Sequence, residues 1–125
     1  MIDRHPVPVI SAADAHARLS GELEQPAPLL VDVRERNEFL DARAVGAALL
    51  PLSEFGARYT GLPRDRPLLM ICHSGARSGR ATEFLLANGW SDVTNVAGGT
   101  LAWAQAGLPV RRGPMAPGEG DLPTG

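Results

Sequence analysis

The chain contains no lysine; all 12 of its basic residues are arginine. That absence excludes a Walker-type phosphate loop, a pyridoxal Schiff base and any lysine nucleophile. Cys72 is the one cysteine, so no internal disulfide and no paired-cysteine redox or zinc motif forms within the chain. His5 and His16 have no ligand-like spacing with each other or with Cys72, and neither a metal nor an organic cofactor is expected. Long apolar runs are missing too: the longest, Leu68 to Cys72, is far short of the roughly 20 residues of a membrane helix. Met1 to Ile10 lacks the apolar stretch of a secretory signal, so a cytoplasmic, soluble protein is expected. Nor is there an excess of charge. With 14 acidic and 12 basic residues the formal net charge is -2, which offers a nucleic-acid backbone nothing to hold.

What the sequence does have is an ordinary globular composition. Its 125 residues are 44% hydrophobic and 21% charged, enough for one domain around a core that needs no staples. The last stretch, GPMAPGEGDLPTG, is dominated by Gly and Pro and offers little to bury. Residues 1–112 therefore read as the domain and 113–125 as a flexible tail. Short apolar runs alternate with helix-like stretches, the pattern of βαβ units. Ser11 caps a helix that ends at Ser20-Gly21. Leu29 to Val33 and Leu68 to Cys72 are apolar on both parities, as strands covered on both faces are. A short helix is expected around Glu35 to Ala42, a strand at Ala48 to Leu50, and a helix begun by Ser53 carrying Phe55 and Tyr59. Ser78 to Asn88 reads as a helix with Ala81, Phe84 and Leu85 on one side. Gly89 is its left-handed cap, with Trp90 closing onto Leu85. Val93 to Val96 is a strand, Gly98-Gly99 a turn, and Leu101, Trp103 and Ala104 belong to a last helix. The expected class is α/β, about five short strands interleaved with helices.

Chemistry concentrates in LLMICHSGARSGRATEFLLANGW. Cys72 falls at the carboxyl end of a buried strand, where open α/β sheets bind ligands. A buried structural cysteine is the bland alternative, but His73, Ser74, Gly75, Arg77 and Ser78 are not residues that close a dry core. An ordinary thiol, with pKa about 8.5, is only about 3% ionised at neutral pH. A loop curling over the sulfur can aim backbone N–H groups at it, and the following helix adds its N-terminal partial charge. Gly75 permits the tight turn and Arg77 adds a permanent charge.

Four residues separate Cys72 from Arg77. Cysteine-dependent phosphatases have five intervening residues and usually a His before the Cys; here Ile71 precedes Cys72 and Ser78 stands where the arginine would be. CHSGARS (72–78) is similar to the C-x-x-G-x-R-S active loop of single-domain rhodaneses. DVRERNEF (32–39) resembles their D-V-R-x-x-x-E-F segment, and VAGGTLAWAQAGLPV (96–110) resembles their closing segment. The resemblance covers about residues 7 to 110. It implies a five-stranded parallel sheet flanked by helices, and a cysteine carrying a persulfide between donor and acceptor. The chain departs from the pattern at Ala42 to Ala47, where Gly-His-Ile is common. It also has His73 and Ser74 where efficient thiosulfate users often carry a fixed cation.

On this reading Cys72 is the nucleophile. The amides of His73, Ser74, Gly75, Ala76, Arg77 and Ser78 form the anion-binding loop, and no cofactor is needed. Arg77 acts on the anion or braces the loop against a carboxylate. Asp32, ending an apolar strand, pairs with nearby backbone or with Arg34, or else supports the loop directly. Arg34 and Glu38, four apart, could simply pair. His73 is a docking cation or a solvated loop residue. Trp90 and Trp103 read as core. The expected partners are small sulfur donors and acceptors, with a protein persulfide as a further donor, and no nucleic acid or membrane. A monomer or weak dimer is expected. The rivals are a cysteine-dependent phosphatase or arsenate reductase, and a sulfur-carrier or regulatory module without turnover.

Overall fold

The computed structural model describes residues 6–123. Along the chain run β1 (Val9–Ile10), α1 (Ala12–Ser20), β2 (Leu29–Asp32), α2 (Arg36–Asp41), β3 (Arg43–Ala44), β4 (Ala48–Leu49) and α3 (Leu52–Arg58). A 3-10 turn at Tyr59–Gly61 leads to β5 (Leu68–Ile71), α4 (Ala76–Ala87), β6 (Val93–Val96), α5 (Gly99–Gln105) and β7 (Val110–Arg111). The main sheet has five strands in the order β1-β6-β5-β2-β4, every neighbouring pair parallel. β3 and β7 form a separate antiparallel ribbon. The α/β class and the five-stranded parallel sheet are as expected. β1 and the ribbon are too short to carry a period that a sequence would reveal.

Both faces of the sheet are buried, and strand alternation sorts the side chains. Leu29, Val31 and Val33 pack with Leu68, Met70 and Cys72 on the face covered by Phe55 of α3 and by Ala81 and Leu85 of α4. Leu30, Leu69 and Ile71 turn the other way, toward Ala12 and Ala15 of α1, Phe39 of α2 and Trp103 of α5. Each fully buried Leu or Ile contributes roughly 1.5–3 kcal/mol, so these two layers hold the fold. Parity also fixes the chemistry. Cys72 continues the row of Leu68 and Met70, so its side chain is delivered to the α4 face. Asp32 pairs in register with Ile71 and follows the opposite row.

Helix ends follow local chemistry. Ser11 caps α1 by accepting from the Asp14 amide at 3.0 Å, as expected. α3 starts at Leu52, one residue ahead of the expected start, because Pro51 takes the cap position. The Ser53 hydroxyl is used elsewhere, donating to Glu35 at 2.6 Å. Tyr59 lies past the end of α3, in the 3-10 turn. α4 begins at Ala76 rather than Ser78, since Gly75, at φ +105°, turns the chain directly into the helix. Phe84 is not on the buried side with Ala81 and Leu85. It is 40% exposed and sets its ring edge-on to Tyr59, with centroids 4.8 Å apart. Gly89, at φ +102°, and the Trp90 amide bonded to the Leu85 carbonyl at 3.1 Å end α4 as anticipated.

Residues 113–123 differ from the expectation of a flexible tail with little to bury. Arg43 is 0% exposed and spends its guanidinium on this segment: the Gly113 carbonyl at 2.7 Å, the Pro114 carbonyl at 3.2 Å and Glu119 at 2.6 Å. The Gly120 carbonyl accepts from the Leu49 amide at 2.7 Å, closing the open edge of β4. Met115 and Leu122 pack against the two cores. The segment stays because Arg43, buried in an apolar stretch, needs partners. Residues 1–5 and 124–125 lie outside the described residues, and with them His5, half of the segment read for a leader, and the end of the tail.

Candidate active site

β5 ends at Ile71 and hands Cys72 to a loop of four residues before α4 begins at Ala76. The first amides of a helix have no partner within it, and at this helix start those of Ser74, Gly75 and Ser78 act on the sulfur. The Gly75 amide donates to Cys72 Sγ at 3.1 Å, and the Ser78 hydroxyl lies 3.2 Å away. Burial pushes the thiol up. The Ser78 hydroxyl and the amides of Ser78, Gly75 and Ser74 outweigh it and hold Cys72 below its ordinary value. Cys72 is only 1% exposed, yet His73, Ser74 and Ala76 beside it are exposed, so the atom sits at the floor of a surface loop. The amides of His73, Ala76 and Arg77 make no bond to the sulfur, so three of the six expected amides act on it.

Arg77 points across to α2. Its two terminal nitrogens each reach a different oxygen of Glu38 at 2.8 Å, a bidentate pair. The guanidinium beside Glu38 lowers that carboxyl, despite some burial, to about 2. Of the two roles open to Arg77, the geometry is that of the brace. Arg34 does not pair with Glu38. It folds back on Asp32, with Nε at 3.1 Å and Nη2 at 2.8 Å, and its own amide binds the same carboxylate at 2.9 Å. Arg34 also holds the Ala42 carbonyl at 2.7 Å. Asp32 thus closes the turn after β2, on the face away from Cys72. His73 is exposed, with its side chain away from the core.

Three groups that the sequence did not place at the loop complete it. Asn95 on β6 donates to the Gly75 carbonyl at 3.0 Å and accepts from the Ser78 hydroxyl at 2.6 Å. Thr100 fixes the Cys72 carbonyl through its amide at 2.8 Å and its hydroxyl at 3.1 Å. Glu38 was read only as a partner for Arg34. Gly98-Gly99 is the expected turn, and more: at Gly99, φ +59°, an added Cβ would collide with the Cys72 carbonyl oxygen and with His73. The backbone of α5 therefore lies directly against the loop. Trp90 and Trp103 are buried, their indole N–H groups bound to the carbonyls of Pro63 and Pro109. Among the described residues no cluster of His, Cys, Asp or Glu could hold a metal ion, and no helix is long and apolar enough to cross a membrane.

The rhodanese-like domain model matches residues 13–106, three-quarters of the sequence. The chain belongs to the rhodanese-like domain family. This rhodanese-like domain is similar to a protein named sulfurtransferase from Allochromatium vinosum, 39% identical over 82 residues, which are 66% of this chain and 77% of that one. It is 34% identical over 82 residues to the thiosulfate sulfurtransferase GlpE of Actinobacillus succinogenes, covering 66% of this chain and 74% of the relative. The crystal structure of a rhodanese-related protein from Thermoplasma volcanium superposes with a TM-score of 0.74 at 32% identity, over 83% of this chain and 97% of that one. In two further curated relatives the match takes up 59% and 52% of their length. Two of these relatives carry the name sulfurtransferase.

Proposed function

We propose that this domain is a sulfurtransferase that moves a sulfane sulfur from thiosulfate or a persulfide donor to a thiophilic acceptor through a Cys72 persulfide. The observation that carries the reading is the Cys72 sulfur lying among the Ser78 hydroxyl and the amides of Ser74, Gly75 and Ser78. Cys72 thiolate attacks the outer sulfur of the donor. The bond from Sγ to that sulfur forms, the donor's own bond to it breaks, and the leaving group departs with the electron pair as sulfite or a thiolate. The outer sulfur now carries the charge, which the loop amides stabilise as an oxyanion hole would. An acceptor, cyanide in an assay or a thiol in a cell, attacks the outer sulfur and releases Cys72 as thiolate.

Arg77 holds the loop in place through Glu38 rather than presenting an open fork to a dianion. Asp32 and Arg34 order the turn after β2, and His73 and Ser74 at the rim meet the incoming donor. A terminal sulfur is slim enough to approach an atom of a residue so enclosed, whereas a tetrahedral phosphate is not. A lone working thiolate suits a reducing compartment, in keeping with the cytoplasm. The donors and acceptors are small molecules, with a protein persulfide as a further donor class, and the chain works as a monomer or weak dimer.

Intact-mass spectrometry tests this. After incubation with thiosulfate or a low-molecular-weight persulfide the mass should rise by one sulfur atom and fall back on addition of cyanide, with neither change in Cys72→Ser. A wild-type chain that takes up no cyanide-removable sulfur from any of several donors would leave a domain without turnover.

A further inference from the structure

We propose that Asn95 competes with the Cys72 sulfur for the single hydroxyl proton of Ser78, and so is a positioning residue that limits how firmly the loop holds negative charge on that sulfur. This rests on the reading of Cys72 as the sulfur carrier.

A serine hydroxyl has one proton to give. Three acceptors surround Ser78 Oγ: Asn95 Oδ1 at 2.6 Å, Cys72 Sγ at 3.2 Å and the Gly75 carbonyl at 3.4 Å. The orientation of the Asn95 amide is not free. The Gly75 carbonyl, 3.0 Å away, can only accept, so Nδ2 faces it and Oδ1 must face Ser78. With Cys72 as a thiol every group is satisfied: S–H donates to Oγ, and Oγ–H donates to Oδ1. A thiolate has no proton to give. The Ser78 hydroxyl must then turn to the sulfur, leaving Asn95 Oδ1 without a donor. Asn95 is 7% exposed and Ser78 0%, so water is poorly placed to replace it. Once a second sulfur is attached, the charge moves outward and the hydroxyl returns to Asn95. Asn95 thereby favours the thiol and the loaded cysteine over the bare thiolate.

The charged groups around the sulfur are Arg77 of α4, tied to Glu38 of α2, the Asp32–Arg34 pair after β2, and the exposed His73. None is hydrogen bonded to Ser78 or Asn95. Replacement at 95 therefore reaches the sulfur through the hydroxyl or through the Gly75 carbonyl, and a double-mutant cycle separates the two routes.

The measurement is the pH dependence of iodoacetamide alkylation at Cys72 in wild type, Asn95→Ala, Ser78→Ala and the double variant. Asn95→Leu, which fills the amide's volume, carries the same expectation as the alanine variant. Removing Asn95 frees the proton for the sulfur, so the alkylation midpoint should fall by about one pH unit. Ser78→Ala should raise it by a similar amount, and the double variant should match Ser78→Ala. A midpoint that rises or stays put on removing Asn95 overturns the proposal. So does a fall of the same size in the Ser78→Ala background, which would assign the effect to the Gly75 contact. Alkylation needs no sulfur donor, so this result and the mass experiment fail independently.

Discussion

Gly99→Ala should be among the most damaging small substitutions in the chain, and Gly46→Ala is its control. Both glycines have positive φ, +59° at Gly99 and +92° at Gly46, so an alanine at either site bears a left-handed cost of about 1–2 kcal/mol. They differ in surroundings. Nothing lies within 4 Å of a Cβ added at Gly46, whereas at Gly99 the new atom would stand 2.6 Å from the His73 carbonyl carbon and closer still to the Cys72 carbonyl oxygen. These are backbone atoms held by Thr100 and Leu101, so they cannot swing aside as a side chain would. Relieving the overlap adds about 1–3 kcal/mol, for a total of about 2–5 kcal/mol at Gly99. That is a large part of an ordinary domain stability of about 5–15 kcal/mol. Urea unfolding of both variants measures it, with sulfur uptake by the folded fraction as a second readout. Gly99→Ala should lose more stability than Gly46→Ala by at least about 1 kcal/mol and should load sulfur poorly even when folded. Equal losses would show that α5 does not clamp the loop as described.

Other expectations follow from the ion pairs. Glu38→Gln removes the brace on Arg77. The pair is about one-third exposed, so the stability lost should be under about 1 kcal/mol, while loop order and sulfur-transfer rate suffer more. Glu38 is held at about 2, below its unfolded value, so its contribution is fully present above the ordinary carboxylate range and is lost as the pH falls toward 2. Acid-unfolding curves of wild type and Glu38→Gln should therefore converge at the acid end and separate above pH about 4.5. Truncation after Arg112 strips Arg43 of Glu119 and of two carbonyls while it is fully buried, and should cost about 3 kcal/mol. An unchanged melting temperature would show that the segment is dispensable.

Much of this architecture was legible because it is local or periodic. The double-sided burial of Leu68 to Cys72, the Ser11 cap and the Gly89 ending of α4 each rest on residues a few positions apart. The same holds for the turn at Gly75 that sets Cys72 beneath a helix start. What escaped is long-range. Asn95 meets Ser78 across 17 residues, Thr100 meets Cys72 across 28, and Arg43 meets Glu119 across 76. Only the β5–β6 pairing and the return of the C-terminal segment bring them together. A signal was present in one case: Arg43 interrupts an apolar stretch, and a charge there demands partners from somewhere. The Gly and Pro content of residues 113–123 suggested freedom, whereas their backbone carbonyls were what Arg43 and Leu49 required. Likewise the four-residue spacing of Arg34 and Glu38 suggested one pair, but each found a better-placed partner in Asp32 and Arg77.

The central claim is that the Ser78 hydroxyl and the loop amides hold the Cys72 thiol below its ordinary value despite burial, and titration of thiolate absorbance in the ultraviolet, wild type minus Cys72→Ser, addresses it most directly. The midpoint should fall clearly below the ordinary thiol value of about 8.5. A midpoint at or above that value would mean that burial prevails over the Ser78 hydroxyl and the loop amides, and the account of the site would be wrong.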